Sequence, residues 1–394
     1  MAECGEVDGL KREACERVDQ AAEMLRGVSR SIHERPELKF EERFAAGLLA
    51  DRLRDHGFLV ERGAAGMETA IVASHPDAAP GRVVAILGEY DALPEIGHAC
   101  GHNLIAAGAL GACVGLGAVK RQLPGTLRFF GTPAEEGGGG KVVMVDAGLF
   151  DDVDVAMMFH PAAHTMVDRG SLAITEVRVE FTGKPAHASG SPEKGINALD
   201  AVIQTFNGIN ALRQHIKDGA RIHGIIDNGG AKPNIVPETA SAVFYVRAEE
   251  TAYRDELLAK LEHCAKGAAL ATGASLAFRL VGHAYKAMKP NRALGEAFVA
   301  NLGSIGEPLH LPNDRSMGST DMGDVSQAVP SIHAYIRICG EEIAGHSREF
   351  AEASISERGQ QAMIAAAKAM AMTAIDVWSD DALASSITAE FAAD

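Results

Sequence analysis

The chain has 394 residues, with 37 basic and 53 acidic side chains and a formal net charge of −16 at pH 7. At roughly 100 to 200 residues per domain, this length predicts two or three domains. Hydrophobic residues make up 47% and charged residues 23% of the chain, which is typical of a folded globular protein and excludes disorder for most of it. Because an acidic protein repels phosphates, the net charge argues against nucleic-acid partners and against binding to anionic lipid.

The cysteines and the N-terminal sequence predict a cytoplasmic protein in a reducing compartment. Six cysteines lie without regular spacing, which is unlike a disulfide framework. The first residues lack the basic and apolar regions of a signal peptide. The longest uncharged run, 103–119, is shorter than the roughly 20 apolar residues of a membrane span. We therefore predict that this run is a buried helix and that the protein has no membrane partner.

The first 171 residues have the pattern of an α/β domain. Apolar positions recur at helical spacing over 10–32, which predicts one long amphipathic helix that ends before Pro36. A second helix is predicted over about 40–56. Short apolar runs then alternate with helices, which indicates a buried, mostly parallel sheet with helices on both faces. The predicted strands lie at 69–74, 83–88, 126–131 and 154–159, and the helices between them follow His102 and cover 141–147.

A different pattern begins near Ser171 and predicts an inserted domain. Residues 174–182 alternate in the manner of a half-exposed strand, and three further strands and two helices follow them. Four mostly antiparallel strands with two helices on one face form a self-contained α+β unit. An apolar strand then returns at 331–338. We predict a catalytic domain of residues 1–171 and 287–394, interrupted by an inserted domain of residues 172–286.

Ligand-type side chains follow the predicted strands of the α/β domain. In open α/β sheets, ligands bind in the crevice beyond the carboxyl ends of the strands, so side chains from separate strands converge there. A metal site needs such convergence, and thiolate, imidazole and carboxylate donors together suit Zn, Mn, Co or Ni rather than Mg or Ca. These side chains belong to Glu89, Asp91, His98, Cys100, His102, Glu135, Glu136, His160 and His346.

Each segment also has a simpler interpretation when it is taken alone. A Cys100-Gly-His102 pair is more often a buried cysteine beside a structural histidine than a metal site. Isolated histidines at strand ends are more often structural too. Glu135-Glu136 is the sharper signal, with an exposed acidic turn as its alternative. One carboxylate can hold a metal while its neighbour takes a proton from a metal-bound water.

Four longer motifs occur in order along nearly the whole chain. They are His33-Glu-Arg-Pro-Glu-Leu-Lys-Phe-Glu-Glu42, Gly88-Glu-Tyr-Asp-Ala-Leu-Pro-Glu-Ile-Gly-His-Ala-Cys-Gly-His102, Gly131-Thr-Pro-Ala-Glu-Glu136 and Gly183-Lys-Pro-Ala-His-Ala-Ser189. Together they resemble the M20 family of metallopeptidases and amidohydrolases. Within it, the chain is most similar to the branch of N-acyl amino acid amidohydrolases, auxin-conjugate hydrolases, aminobenzoyl-glutamate hydrolases and related dipeptidases.

The resemblance implies a role for each matching residue. Glu135 matches the general base, and Asp91 matches the carboxylate that orients a metal ligand. The inserted domain matches a lid that dimerises, in which His187 reaches the partner subunit's active site to stabilise the oxyanion. Asn234 and Arg247 match substrate-binding positions of the lid. The matching metal ligands are Cys100, His102, Glu136, His160 and His346, and segment 318–321 matches a loop of the catalytic domain near the site.

The sequence departs from the wider family at two positions. Glu89 stands where the wider family has the histidine of a His-x-Asp motif, and Cys100 stands where many relatives use a bridging aspartate. The resemblance implies a divalent transition metal, Mn or Zn with Co or Ni as alternatives. The departures leave open whether each subunit holds one ion or two.

The predicted function is metal-dependent hydrolysis of an amide C–N bond, with Glu135 as the general base acting on a metal-bound water. The substrate class is a small N-acyl amino acid, an aryl amide or a dipeptide-like molecule, and the expected assembly is a homodimer or higher homo-oligomer. A hydrolytic deaminase of an activated aromatic amine on the same scaffold is one alternative, since a fold does not fix the chemistry. A non-catalytic binding protein on a retired enzyme fold is another, against which the intact Glu135 argues.

Overall fold

The computed structural model of the protein describes residues 4–167, 169–312 and 317–393. Ten strands in these ranges form two sheets, one of six strands and one of four. The strands are β1 (Leu59–Arg62), β2 (Ile71–Ser74), β3 (Val83–Glu89), β4 (Thr126–Thr132), β5 (Val155–Ala162), β6 (Ala173–Thr182), β7 (Arg221–Asn228), β8 (Thr239–Ala248), β9 (Ser275–Tyr285) and β10 (Ser331–Arg337).

The described ranges also contain twelve α-helices. Several of them begin where a polar side chain accepts a hydrogen bond from the first turn, as Asn291 does from the Leu294 N–H at 3.0 Å. The helices are α1 (Cys4–Gln20), α2 (Ala22–His33), α3 (Arg43–Asp55), α4 (His102–Val119), α5 (Gly140–Asp146), α6 (Ala198–Leu212), α7 (Thr251–Thr272), α8 (Arg292–Ser304), α9 (Met322–Ala328), α10 (Arg348–Ile355), α11 (Glu357–Ser379) and α12 (Asp381–Ala393).

The chain divides into two compact units. Unit 1 comprises the described residues of Met1–Gly170, Met288–Met317 and Asp321–Asp394, and unit 2 those of Ser171–Ala287 and Gly318–Thr320. Unit 1 carries the six-stranded sheet, and unit 2 carries the four-stranded one. The lid and dimerisation roles of residues 172–286 stay predictions.

The sheet of unit 1 has the strand order β1-β2-β4-β3-β5-β10. The pairs β4-β3, β3-β5 and β5-β10 are parallel, whereas β1-β2 and β2-β4 are antiparallel. The prediction of a mostly parallel sheet in an α/β fold is therefore confirmed, with two antiparallel strand pairings, β1-β2 and β2-β4, at one edge. Because β3, β4, β5 and β10 run in the same direction, their carboxyl ends lie at one edge of the sheet.

Helix α4 is the buried helix that the sequence predicts. It contacts β3 and β5, and the close approach to β5 requires Gly108, because an added Cβ would lie 2.4 Å from a ring carbon of Phe159. Helices α4 and α11 have the length and composition of membrane-spanning helices, but most of each is buried within the protein. They contribute to the main hydrophobic core of unit 1.

The helix predicted over 10–32 is observed as two helices, α1 and α2. The interruption is one residue, Ala21, which keeps right-handed backbone angles. Its N–H donates to the Arg17 carbonyl at 3.1 Å and its carbonyl accepts the Leu25 N–H at 3.0 Å. The helical spacing of apolar residues therefore continues across Ala21, so it could not predict that the helix is divided there. The second helix ends at His33, before Pro36, as predicted.

Unit 2 is an α+β unit with the strand order β7-β8-β6-β9. All three of its strand pairs are antiparallel. The alternating pattern of β6 directs Val177, Val179 and Phe181 into a core that it shares with residues of α6 and α7. Four antiparallel strands with two helices match the sequence prediction for this region.

Candidate active site

The predicted site residues of unit 1 lie close together at the carboxyl ends of the parallel strands. Glu89 is the last residue of β3, Glu135 and Glu136 follow β4, and His160 lies near the end of β5. Donor atoms in each of three groups lie within 4.8 Å of one another. The groups are Glu89, His102 and His160; Cys100, Glu136 and His346; and His102, Glu135 and Glu136.

Asp91 fixes the orientation of His102. The Nδ1 atom of His102 lies 2.9 Å from the Asp91 carbonyl oxygen and 3.1 Å from Asp91 Oδ1. Both partners are acceptors, so Nδ1 carries a proton. Although burial lowers it, the Asp91 carboxylate raises the pKa of His102 well above its ordinary value, so a bound cation would take the place of the Nε2 proton. The second carboxylate oxygen of Asp91 accepts the Glu136 N–H at 2.9 Å. The Asp91 carboxylate therefore fixes both the His102 ring and the backbone of Glu136. Metal-binding histidines are commonly oriented by a carboxylate in this way.

The first group offers two imidazoles and a carboxylate. His160 Nδ1 donates to the Pro161 carbonyl at 2.7 Å, which leaves its Nε2 as an acceptor. Burial lowers the pKa of His160 to about 4, so this ring is neutral at neutral pH. Glu89 Oε2 lies 3.4 Å from His102 Nε2, and both atoms are buried without a hydrogen-bond partner. Glu89 thus brings a carboxylate to the place where the wider family has a histidine.

The second group offers a thiol, a carboxylate and an imidazole. Cys100 Sγ lies 2.6 Å from Glu136 Oε1, and His346 Nε2 lies 3.7 Å from the same oxygen. Burial raises the pKa of the Cys100 thiol well above its ordinary value, so a cation is needed to displace its proton. The next residue, Gly101, immediately precedes α4 and has a left-handed φ of +75°, which favours glycine. An added Cβ there would lie 2.5 Å from Pro161 Cγ.

These residues fit a divalent transition metal. The donors include thiol sulfur, imidazole nitrogen and carboxylate oxygen, the mixture that Zn and its neighbours bind. A buried histidine and a buried carboxylate each leave one polar atom without a partner, and a bound cation would satisfy both.

The general-base candidate Glu135 lies on a turn that a distant residue holds. Its predecessor Ala134 has a left-handed φ of +59° and donates its N–H to Glu42 Oε1 at 2.9 Å. The Ala134 carbonyl accepts the N–H groups of Gly138 and Gly139. Burial raises the pKa of the Glu135 carboxyl well above its ordinary value, and the carboxylates of Glu89, Glu136 and Asp321 raise it further.

A buried lysine is the main feature that the sequence analysis missed. The Nζ atom of Lys141 forms ion pairs with Glu89 and with Asp321, the latter at 2.7 Å, and all three side chains are essentially inaccessible to solvent. The backbone N–H of Lys141 also donates a hydrogen bond to Asp321 Oδ2 at 3.0 Å. One signal was available. A lysine in the first turn of a short apolar helix interacts unfavourably with the helix dipole, which indicates that a nearby carboxylate compensates its charge.

The three predicted residues of the inserted region lie in unit 2. Nδ1 of His187 accepts the N–H groups of Gly190 at 3.1 Å and Ser189 at 3.3 Å, so its Nε2 is a hydrogen-bond donor. Arg247 is half-buried and donates to Ser319 Oγ at 3.2 Å, while its Nε atom is buried without a hydrogen-bond partner. Asn234 is exposed, and its backbone carbonyl accepts the Ala188 N–H.

Comparison with known proteins places the chain in a family. The family model of peptidase family M20/M25/M40 matches residues 71–369. The Mus musculus Xaa-Arg dipeptidase is 40% identical over 98% of this chain and 93% of its own length. One of the subunits of the Escherichia coli (strain K12) p-aminobenzoyl-glutamate hydrolase is 38% identical over 71% of this chain and 62% of its own length.

A solved structure gives the same assignment at the level of the fold. It is a Bacillus subtilis protein described as a dinuclear metal-binding peptidase from the M20 family. It superposes with a TM-score of 0.71 at 20% identity, over 91% of this chain and 99% of that one. The family resemblance of the sequence motifs is confirmed. The chain belongs to peptidase family M20/M25/M40 and is a metal-dependent peptidase or amidohydrolase of that family.

Proposed function

We propose that the protein hydrolyses the amide C–N bond of a small molecule with a free carboxylate, and that dipeptides ending in arginine are the first class to test. The observation that supports this proposal is the clustering of all five candidate ligands with Glu135 in unit 1. The similarity to an Xaa-Arg dipeptidase over 98% of the chain favours the dipeptide class. Aminobenzoyl-glutamate is the second class, by the relative that acts on it.

The chain's own residues divide the proton transfers and the orientation of the site. Cys100, His102, Glu136, His160 and His346 would hold the cation, at one or two ions per subunit. A divalent transition-metal ion supplies a Lewis acid that acidifies water and polarises a carbonyl. Glu135 takes one proton from the attacking water and donates it to the leaving amine nitrogen, giving a carboxylic acid and an amine. Asp91 holds Nδ1 of His102 and so leaves Nε2 as the nitrogen that would bind the cation.

Product analysis by mass spectrometry tests the bond and the substrate class. The panel contains Xaa-Arg dipeptides, aminobenzoyl-glutamate, N-acyl amino acids and activated aromatic amines, each with added Mn or Zn and with a chelator. We expect metal-dependent release of an acid and an amine. Release of ammonia from an aromatic amine would replace the proposal with the deaminase alternative, and turnover that survives the chelator would refute metal dependence.

Substitution of Glu135 tests the general base. Glu135→Gln keeps the size of the side chain and removes its basicity, so we expect normal metal content and a rate lowered at least about 100-fold. Glu61→Gln, at an exposed glutamate of unit 1, is the matched control. A near-normal rate in Glu135→Gln would remove this residue from the mechanism.

We also propose that Arg247 binds the substrate carboxylate, with Asn234 as a second substrate contact. Arg247 is half-buried and has one donor without a hydrogen-bond partner, and a planar guanidinium suits a carboxylate. We expect Arg247→Lys to raise KM more than it lowers kcat, because an ammonium cannot form the paired hydrogen bonds. An unchanged KM would refute the contact.

A homodimer in which His187 serves the partner subunit's active site is the last part of the proposal. The donor at His187 Nε2 suits a developing oxyanion. A complementation experiment separates this arrangement from a monomeric one. Glu135→Gln and His187→Ala chains, each inactive alone, should recover about a quarter of the wild-type activity after mixing and subunit exchange. No recovery in a demonstrated mixed dimer would refute the shared site.

A cytoplasmic location also remains a prediction.

A further inference from the structure

A second cluster of metal-ligating side chains lies in unit 1 outside the three groups at the active site. It consists of His164, which follows β5, His310, which follows α8, and Glu341, which follows β10. One donor atom from each lies within 4.8 Å of the others. Glu341 Oε1 lies 3.3 Å from His310 Nε2 and 3.7 Å from His164 Nδ1.

The geometry of this cluster suits a cation better than it suits direct hydrogen bonds. His164 Nδ1 is buried and has no hydrogen-bond partner. When metal–ligand bonds are about 2.1 Å long, ligand atoms at octahedral or tetrahedral angles are separated by about 3.0–3.4 Å. The separations of 3.3 and 3.7 Å at Glu341 need only a small adjustment to reach that range.

The backbone around the cluster brings the ligands together before any ion is bound. Thr165 and His310 exchange two backbone hydrogen bonds, at 3.0 and 2.9 Å, which fixes the two histidine segments side by side. The N–H of Arg337 donates to Thr165 Oγ1 at 3.1 Å and ties the end of β10 to the same place.

We propose that His164, His310 and Glu341 bind an additional metal ion, Zn²⁺ or a divalent neighbour, at a site separate from the active site. Two imidazoles and one carboxylate form a typical ligand set for these ions. Water completes the coordination, since all three ligand side chains are partly exposed to solvent. The ion crosslinks the segments after β5, α8 and β10, so its role is structural, and bond cleavage does not require it.

Zinc stoichiometry at equilibrium tests this proposal. The full-length protein and the variants His310→Ala and Glu341→Gln are dialysed against a fixed micromolar free Zn²⁺ concentration, and bound zinc is measured by mass spectrometry. We expect each variant to bind one zinc fewer per chain than the wild type. Peptidase or amidohydrolase activity on the best substrate of the panel should change less than twofold.

Two controls keep the result interpretable. His56→Ala removes an exposed histidine of unit 1 that lies outside every group, so its zinc content should equal that of the wild type. Thermal unfolding gives a second measurement, in which added Zn²⁺ should raise the Tm of the wild type more than that of Glu341→Gln. Equal zinc content in the wild type and both variants would refute the site, and so would an equal Tm response. Neither outcome bears on the active-site ligands.

Discussion

Removal of the Lys141 ammonium should destabilise the protein in a way that depends strongly on pH. Lys141 is fully buried, and its ammonium forms ion pairs with Glu89 and Asp321. Although burial alone lowers the pKa of Lys141, the carboxylates of Asp321 and Glu89 raise it above its ordinary value. Lys141→Met keeps the length of the side chain and removes the ammonium partner of two buried carboxylates.

The magnitude follows from the cost of an uncompensated buried charge. Breaking a buried ion pair by removing one partner costs about 3–5 kcal/mol of unfolding free energy at a pH where the remaining carboxylates are ionised. Burial already raises the pKa of Asp321 to about 6, despite Lys141, and removal of the ammonium raises it further. A carboxyl whose pKa is raised in the folded state stabilises that state at low pH and loses this contribution as pH rises through the folded-state pKa. The deficit should therefore be small at pH 5 and full at pH 8.

Lys120 provides a matched control, because it is the other fully buried lysine among the described residues. Its Nζ atom donates to the carbonyls of Leu123 and Pro124, which do not titrate. Lys120→Met should cost about 1–3 kcal/mol at both pH values. Urea unfolding of the three proteins at pH 5 and pH 8 measures these differences. A deficit for Lys141→Met below about 1 kcal/mol at pH 8, or equal deficits at the two pH values, would refute the reasoning.

Two further predictions concern stability. Burial raises the pKa of Glu42 to about 7. As the pH rises from 5 to 8, the free energy of unfolding of the wild type should therefore fall by up to about 3 kcal/mol relative to that of Glu42→Gln. Parallel pH profiles of the two proteins in urea unfolding would contradict this shift. Gly108→Val forces a side chain against Phe159 and should cost about 1–3 kcal/mol in the same assay, with no change in metal content. An unchanged stability would mean that α4 and β5 can separate at no cost.

Much of the fold is predictable because burial leaves a pattern in the sequence. The apolar runs at 83–88, 126–131 and 154–159 correspond to β3, β4 and β5. The alternating pattern after Ser171 corresponds to the antiparallel sheet of unit 2. Strand β1 left no such signal, since its four residues are mostly exposed, and the break at Ala21 leaves the helical spacing intact. The pattern of apolar residues indicates which positions are buried, so the prediction of a helix or strand fails where the element is short or exposed.

The site is predictable to a different depth. Residues at strand ends were found because parallel strands bring their carboxyl ends together. The hydrogen bond between Glu42 and Ala134, which are 92 residues apart, was not found, and neither was the ion pair of Lys141 with Asp321, at 180 residues. Such pairs depend on how two segments that are distant in sequence approach each other in the fold. Local sequence contains no information on that approach beyond an unusual residue type.

Glu89 and Lys141 become intelligible only as a pair. Replacing a neutral histidine ligand by a carboxylate adds a negative charge to a site that already contains Asp91 and Glu135, and a buried charge is tolerated when it is paired. The Lys141 ammonium provides the compensating positive charge, since it forms an ion pair with Glu89. Glu89→His combined with Lys141→Met should therefore be more stable at pH 8 than Lys141→Met alone, because the double variant has one buried carboxylate fewer. If the second substitution brought no recovery in urea unfolding, Lys141 would serve Asp321 alone.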